Sequence, residues 1–256
     1  MVDAALAASG RVQSRIRDLP ARVVVYLLLA GCLFSELGYG QVWQRLCAGL
    51  DGLPLATPTA SALTHARRRL GPAPLRALFG LLSGPAPVAA ATAGVRVGGL
   101  LVCAIDGTTL SVADTPANHG VYTTQPGHHG GSGYRLLRLV ALVACGTRSL
   151  IDVVFGPTSS GETTMTNQLL EHLHAGMLVL CDRNLTTAAL TGRIAASGAQ
   201  LLGRCKANRK LPLVGRLPDG SWLSLLGGVT VRVVDAQITI ATRAAAPAAA
   251  TGWPPP

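Results

Sequence analysis

The stretch that decides the fold is Leu100-Leu-Val-Cys-Ala-Ile-Asp106, a short apolar run that ends in an aspartate. A second stretch, Met177-Leu-Val-Leu-Cys-Asp182, has the same design. Continuous apolar runs of this length are typical of strands that are buried on both faces of a sheet. Each run therefore predicts a buried strand with a carboxylate at its end.

The segments around these two runs predict a mixed α/β sheet. In chain order we expect a strand at about 100–106, a turn-rich segment to Tyr134, strands at about 136–145 and 149–155, a helix at 162–174, a strand at 177–182, a helix at 186–197 and a strand at 199–205. This order begins as an antiparallel meander and continues as a helix-linked parallel unit. In a ribonuclease-H-like sheet the first and fourth strands are neighbours. Asp106 and Asp182 would then point into one cleft.

The N-terminal part of the chain has a helical pattern instead. Residues 19–50 are apolar and begin at Leu19-Pro20, a plausible helix start. A second helix is expected from Ser61, as N-cap, to Leu70, and a third from Pro74 to Leu82. Residues 84–98 are rich in Pro, Ala, Gly and Val, and they are predicted to be a linker.

The charge of the chain favours a polyanionic partner. Twenty-two Lys and Arg against twelve Asp and Glu give a net charge of +10, and almost all of the positive charge is arginine. Arginine binds phosphate through two N–H groups at once, so nucleic acid is the expected partner. The alternative is a GC-rich genome, which favours arginine codons whatever the function.

Cysteine usage and hydropathy indicate a cytoplasmic protein. The six cysteines include no C-x-x-C pair, and Cys103, Cys145 and Cys181 lie in apolar runs as small hydrophobes. The longest apolar run, residues 23–34, is shorter than the roughly 18–20 residues that span a bilayer. The N-terminus has no signal-peptide pattern, so we expect no membrane partner.

Two carboxylates at strand ends suit a site for divalent cations, because Mg²⁺ or Mn²⁺ prefers carboxylate oxygens. Such phosphoryl-transfer sites normally have a third carboxylate. After Asp182 only Asp219, in a Pro-Asp-Gly turn, and Asp235, in a strand-like run, are acidic, and the last glutamate is Glu171. The alternatives for the two aspartates are purely structural: a turn cap at Asp106 and an Asx turn at Asp182.

Four stretches resemble the bacterial DDE transposases of the insertion-element-4 family. They are Leu37-Gly-Tyr-Gly-Gln-Val-Trp43, Ser61-Ala-Leu with Ala66-Arg-Arg-Arg-Leu-Gly71, Ala104-Ile-Asp-Gly-Thr-Thr-Leu110 with Asp114-Thr-Pro-Ala-Asn118, and Leu178-Val-Leu-Cys-Asp-Arg-Asn-Leu185. The resemblance implies cut-and-paste transposition by metal-dependent strand cleavage and transfer. It also implies Asp106 and Asp182 as the first two metal-binding, catalytic acids, and it leaves the assembly open, a homo-oligomer included.

The resemblance also implies a domain organisation. We expect a helical DNA-binding domain at 1–83, the linker at 84–98, a catalytic core at 99–242 with a β-rich insertion from about 207, and a low-complexity tail at 243–256. The family's third acid lies on a later helix with Tyr, Arg, Glu and Lys at helical intervals, which nothing after Asp182 matches. We therefore expect an incomplete, truncated core that binds Mg²⁺ weakly and is catalytically inactive.

Several basic residues are candidate contacts to the terminal inverted repeats of double-stranded DNA. Arg67, Arg68 and Arg69 lie on the predicted helix from Ser61, and another group follows Asp182: Arg183, Lys206, Arg209 and Lys210. Arg135, Arg138 and Arg204 would extend this rim if they share the face of the acids. The segment 125–133, which contains His128 and His129, is interpreted as a solvated loop.

Two other functions fit parts of the sequence. Ile105-Asp106-Gly-Thr-Thr-Leu resembles the nucleophile loop of haloacid-dehalogenase-type phosphatases, but the position of their nucleophile holds Ala104. The second alternative is a non-catalytic DNA-binding remnant that occupies transposon ends.

Overall fold

Five helices form the first third of the chain in a computed structural model that describes residues 1–15, 17–50, 52–85, 94–124 and 133–236. The helices are α1 (Val2–Ala8), α2 (Ala21–Leu33), α3 (Tyr39–Cys47), α4 (Ala60–Leu70) and α5 (Ala73–Leu82). The stretch predicted as helical over 19–50 is therefore two helices, which are separated at residues 34–38. Helix α1 was not predicted from the sequence.

These helices enclose their own apolar core. Val24, Val25, Leu27, Val42 and Leu63 are each about 1% exposed, and all five belong to one cluster of buried side chains. Helices in soluble proteins gain most of their stability from packing of such apolar faces. This cluster shares no residue with the core of the sheet.

The N-cap of α4 is Thr59, so the prediction of Ser61 was wrong. The hydroxyl of Thr59 accepts a hydrogen bond from the backbone N–H of Ala62 at 3.1 Å. Ser61 lies one position inside the helix. The helix ends at Gly71, whose φ of 70° lies in the left-handed region that favours glycine.

The end of the predicted linker belongs to the sheet. Val95 is 3% exposed and packs in the core of the sheet, and β1 (Arg96–Val97) pairs antiparallel with Leu100 and Leu101. The prediction of a linker over 84–98 is therefore wrong for its last residues. Residues 86–93 lie outside the described part of the chain.

The next five strands join β1 in the predicted mixed sheet. Its strands are β2 (Leu100–Val112), β3 (Arg135–Ala144), β4 (Ser149–Pro157), β5 (Met177–Cys181) and β6 (Gln200–Gly203), in the spatial order β4-β3-β2-β5-β6. Neighbours β2, β3 and β4 are antiparallel, whereas β5 is parallel to both β2 and β6. The ribonuclease-H-like fold class is confirmed.

Strand β2 is longer than predicted. It pairs with β3 residue by residue from Cys103 opposite Ala144 to Val112 opposite Arg135. The six residues after Asp106, predicted to be part of a turn-rich segment, therefore continue the strand, because β3 supplies backbone hydrogen bonds along this whole length. Asp106 lies inside the strand and not at its end.

One face of the sheet is covered by helices. A short helix, α6 (Pro116–His119), lies between β2 and β3. Helix α7 (Glu162–Leu169) continues into a turn of 3-10 helix over Leu170–His172 and leads into β5, and α8 (Ala188–Ala196) connects β5 to β6. Met165 of α7 and Ile194 of α8 pack in one core with Cys103 and Ile105. Cys103 and Ile105 are alternate residues of β2, so they point to the same face of the sheet. Because side chains alternate across a strand, the residues between them point to the other face.

A small sheet follows the main one. It consists of β7 (Gly215–Arg216), β8 (Trp222–Leu226) and β9 (Val229–Val233), all antiparallel. A Cβ atom on Gly227, in the β8–β9 turn, would collide with the backbone of α8, so this turn packs closely on that helix. The predicted strand-like run from Val229 stops at Val233 as a described strand, and the tail at 243–256 lies outside the described residues.

Candidate active site

Strands β2 and β5 bring the two aspartates together. The strands are adjacent and parallel, and Ile105 lies opposite Cys181 in their register. Asp106 and Asp182 are the next residues on each side, and neighbouring strands run about 4.8 Å apart. Ile105 and Cys181 belong to the helix-covered core. Alternation along β2 therefore directs Asp106 to the opposite face, which we call the acid face, and we infer the same direction for Asp182, which directly follows β5.

The two carboxylates are held in similar ways. Oδ1 of Asp106 accepts a hydrogen bond from the N–H of Gly107 at 2.8 Å. Oδ1 of Asp182 accepts from the N–H of Asn184 at 2.5 Å and of Leu185 at 3.3 Å. Within the described residues, neither Oδ2 atom has a hydrogen-bond or ion-pair partner. Each exposed carboxylate thus retains one oxygen for a ligand.

The structure agrees with the structural alternative for Asp182 but not with the one for Asp106. The hydrogen bonds of Asp182 form an Asx turn, as the alternative reading predicted, but they occupy a single carboxylate oxygen. Asp106 does not cap the end of a strand, because β2 continues to Val112. The turn orients Asp182 and is compatible with a ligand on its second oxygen.

A further carboxylate lies close to Asp106 in space but on the other side of the sheet. A Cβ atom on Gly107 would collide with Oε1 of Glu162 at the start of α7. Gly107 has the parity of Ile105, so Glu162 lies on the helix-covered side. Over the described ranges, no group of three acidic, histidine or cysteine side chains is placed to hold a metal ion.

The basic segment 204–210 is attached to the turn after Asp182. The hydroxyl of Thr186 donates to the carbonyl oxygen of Arg204 at 2.7 Å, and the guanidinium of Arg209 donates to the carbonyl oxygen of Thr186. Gly203 lies so close that a Cβ atom there would collide with Cγ2 of Thr186. Thr186, which is 5% exposed, was not recognised in the sequence, although two threonines before a helix are a common N-terminal signal.

These contacts place several of the predicted DNA-binding residues beside Asp182. Arg183, Lys206 and Lys210 are exposed, and Arg183 directly follows the aspartate. Arg209 also lies in this segment but uses its guanidinium to hold the backbone of Thr186. Positive charge is therefore concentrated at the carboxyl ends of β5 and β6, where a polyanion would be attracted.

Two other arginines have partners within the protein. Arg138 has the parity of the helix-covered face and donates to the carbonyl oxygen of Ser160 at 2.6 Å. Arg135 donates to the carbonyl oxygen of Tyr122 at 2.6 Å and lies 3.8 Å from a carboxylate oxygen of Asp114. Arg135 thus stabilises the connection that precedes β3, and Arg138 stabilises the connection between β4 and α7. His128 and His129 lie outside the described residues.

The three consecutive arginines of α4 point in different directions, because successive helical residues are about 100° apart. Arg67 lies over the ring of Tyr39, 5.4 Å from its centroid, and donates to its hydroxyl at 3.1 Å. Arg69 donates to the carbonyl oxygen of Leu19 at 3.3 Å. Arg68 is exposed. They cannot act as one flat patch.

The buried cysteines are not candidate ligands. Burial raises the pKa of the Cys103 thiol to about 11 and that of Cys181 to about 12, with the charge of Asp182 adding to the second shift. Both are therefore neutral thiols near pH 7, in agreement with their prediction as small hydrophobes.

No helix in the part of the chain that the structure describes is long and apolar enough to cross a membrane.

Comparison with known proteins assigns this helical segment and sheet to a class. Residues 1–80 match the family model described as the insertion element 4 transposase N-terminal region, and residues 98–221 match the model described as the transposase DDE domain. The two matches together cover most of the chain. The chain belongs to the insertion-element-4 family of DDE transposases.

Two relatives from Escherichia coli (strain K12) support this assignment. The transposase InsG for insertion sequence element IS4 is 28% identical over 200 residues, which cover 77% of this chain and 44% of the relative. The putative transposase InsZ is 27% identical over 182 residues, which cover 70% of this chain and 58% of the relative. The chain therefore spans about half the length of these curated relatives.

Proposed function

We propose that this chain binds the terminal inverted repeats of a transposable element and belongs to the machinery for DNA strand cleavage and transfer. The observation that supports the proposal is the parallel register of β2 and β5, in which Ile105 lies opposite Cys181, the two residues that directly precede Asp106 and Asp182. Family membership supports the same function. The name of the relative InsG states that it is a transposase, and we extend that activity to this chain as a proposal.

Asp106 and Asp182 are the residues proposed to hold a divalent cation, because each has a carboxylate oxygen available on the acid face. The donor set fits Mg²⁺ or Mn²⁺, which prefer carboxylate oxygens. When bound, such an ion would activate the attacking hydroxyl group and stabilise the leaving oxygen of a phosphodiester. The Asx turn at Asp182 orients its carboxylate before any ligand arrives.

The basic side chains are proposed to hold the DNA backbone. Arg183, Lys206 and Lys210 would contact phosphates next to the acids, while Arg209 contributes by keeping the segment 204–210 in place. On the helical segment, Arg68 is exposed for a phosphate contact, whereas Arg67 and Arg69 have partners within the protein. Such contacts position the duplex and do not read its sequence.

We further propose that these 256 residues, tested alone, bind DNA but cleave it negligibly. Within the described ranges the acid face has two carboxylates near each other. Glu162 lies on the other side of the sheet, and Asp219 is paired with Arg232 in the small sheet. With two shared ligands, a second metal ion would bind weakly. The same chain would then act as a DNA-binding protein that occupies transposon ends.

The test combines three measurements on the full chain. Anisotropy of a labelled inverted-repeat duplex measures DNA binding, electron paramagnetic resonance of Mn²⁺ measures metal binding, and a nicking assay measures cleavage. We expect salt-dependent DNA binding, weak Mn²⁺ binding that is lost in Asp106→Asn, and no nicking. Glu162→Gln is the matched control, since it removes a nearby carboxylate from the other face.

Each part of the proposal has its own refuting result. Failure to bind either inverted-repeat or random DNA at low salt would refute the DNA-binding function. Mn²⁺ binding that survives Asp106→Asn but disappears in Glu162→Gln would refute the assignment of the acid face. Robust nicking that Asp106→Asn abolishes would keep the site and refute the proposed inactivity.

A further inference from the structure

Four arginines line a crevice in the helical segment, far from the acids in sequence. Arg11, Arg15 and Arg17 come from the connection between α1 and α2, and Arg69 comes from the last turn of α4. The crevice has a volume of about 220 Å³. Of the described residues that line it, none is acidic. The first three arginines have the spacing R-x-x-x-R-x-R in the sequence.

The crevice is built from fixed parts. Its apolar lining includes Val24, Ala66 and Leu70, which are 1 to 3% exposed. The connection is held against α2 by a hydrogen bond of 2.7 Å from the N–H of Ala21 to the side-chain oxygen of Gln13. The crevice therefore does not depend on a flexible surface loop alone.

Two of the four guanidinium groups bond to the protein backbone, and the other two are available to bind a ligand. Arg69 donates to the carbonyl oxygen of Leu19 at 3.3 Å, and Arg11 reaches the carbonyl oxygen of Arg69 at 3.5 Å. Arg15 and Arg17 are exposed and have no hydrogen-bond or ion-pair partner among the described residues. Like charges so close together repel one another, and an anion in the crevice would relieve that repulsion.

We propose that this crevice binds a phosphate of the DNA backbone through Arg15 and Arg17, with Arg11 and Arg69 adding positive charge. This inference rests on the proposed function and names a second DNA contact for it. A phosphodiester presents two non-bridging oxygens, which match the paired N–H groups of a guanidinium. The net charge of +10 favours a polyanion over a single small anion.

The test compares two double variants that each remove two positive charges. Arg15→Gln with Arg17→Gln changes the crevice, while Arg45→Gln with Arg76→Gln removes exposed arginines from α3 and α5 of the same segment. Arg11 and Arg69 are left intact because they bond to the backbone. Affinity for a labelled random duplex is measured between about 50 and 200 mM salt, and circular dichroism verifies folding of both variants.

Loss of one phosphate contact lowers the slope of log affinity against log salt by about 0.9. The loss of affinity between about 50 and 200 mM salt then becomes roughly threefold smaller in the crevice variant than in the control variant. Arg15→Lys with Arg17→Lys, which retains the charge, should restore most of the slope. Inorganic phosphate is the second probe. It should reduce the difference in salt slope between the two double variants only at concentrations far above that of the duplex.

Equal slopes for the two double variants would overturn this inference while leaving the proposed function intact. A duplex that does not bind the unaltered chain would overturn both. Competition by poly-glutamate that is as strong as competition by DNA would assign the crevice to an acidic protein partner, and it would refute the phosphate assignment.

Discussion

Replacing Thr186 by valine is expected to loosen the basic segment 204–210 from the turn after Asp182. Valine has the shape of threonine but lacks its hydroxyl donor. The carbonyl oxygen of Arg204 loses its hydrogen bond of 2.7 Å, and it meets a methyl group at a distance where carbon and oxygen prefer about 3.3 Å or more. The segment must therefore move by several tenths of an ångström.

The expected magnitude follows from the hydrogen bond that is lost. A typical net contribution is about 1 kcal/mol, and the carbonyl of Arg204 can recover some of it by bonding to water because this residue is exposed. If local opening becomes easier by about 1 kcal/mol, the open population rises about fivefold. DNA affinity should fall as well, since Lys206 and Lys210 lose their fixed position.

Trypsin measures this opening directly, because the segment contains four cleavage sites: Arg204, Lys206, Arg209 and Lys210. When opening and closing are fast, the cleavage rate follows the population of the open state. Mass spectrometry assigns the cuts to the segment. We expect cleavage there to be about fivefold faster in Thr186→Val than in the unaltered chain, and Thr186→Ser, which keeps the hydroxyl, to restore slow cleavage.

Thr187→Val is the matched control. The hydroxyl of Thr187 caps α8 by accepting a hydrogen bond from the N–H of Leu190 at 3.2 Å, and loss of such a cap also costs about 1 kcal/mol. The two variants should therefore lose similar global stability in urea. Equal trypsin rates at 204–210 in both variants would refute the idea that Thr186 holds the segment in place.

Three further results are expected. Thr59→Ala should lower the free energy of unfolding in urea by about 1 kcal/mol through loss of the α4 cap, and an unchanged urea midpoint would contradict the cap assignment. Gly227→Ala should detach the β8–β9 turn from α8 and raise hydrogen exchange in the small sheet. Gly228 also has a positive φ, but a Cβ atom there would have no neighbour within 4 Å, so Gly228→Ala should not raise hydrogen exchange in the small sheet. Because burial raises the pKa values of Cys103 and Cys181 above their ordinary value, their contribution to stability is complete below about pH 9. It is lost by up to about 1.4 kcal/mol per thiol and pH unit as pH rises towards 11 to 12. A melting temperature that stays constant across this range would contradict the burial of these thiols.

The elements of the sheet were largely predictable from local pattern. Apolar runs predicted β3, β4, β5 and β6 to within a few residues, because each run has the length and composition of a buried strand. The extension of β2 to Val112 was not predictable in this way. Gly107, Thr108 and Thr109 have the composition of a turn, and they are extended because β3 pairs with them.

The helical segment also combines features that were predictable from the sequence with features that were not. Helix α4 was predicted within two residues at its start, but the choice of Thr59 over Ser61 as N-cap depends on where the backbone leaves the extended region. Nothing in the one-dimensional pattern shows that Arg67 lies over Tyr39 while Arg69 reaches Leu19. Those contacts depend on how α4 packs against its neighbours.

The sequence by itself determined the positions of β3, β4, β5 and β6, their order along the chain, and the two aspartates that follow Ile105 and Cys181. These properties depend on neighbours along the chain, since alternation and turn chemistry act over a few residues. Only the tertiary structure decided the register of β2 and β5, in which Ile105 lies opposite Cys181, and the position of Glu162 on the helix-covered side of the sheet. Register and face are set by crossover helices and core packing between distant segments, and a shift of one residue in either strand would separate the two carboxylates.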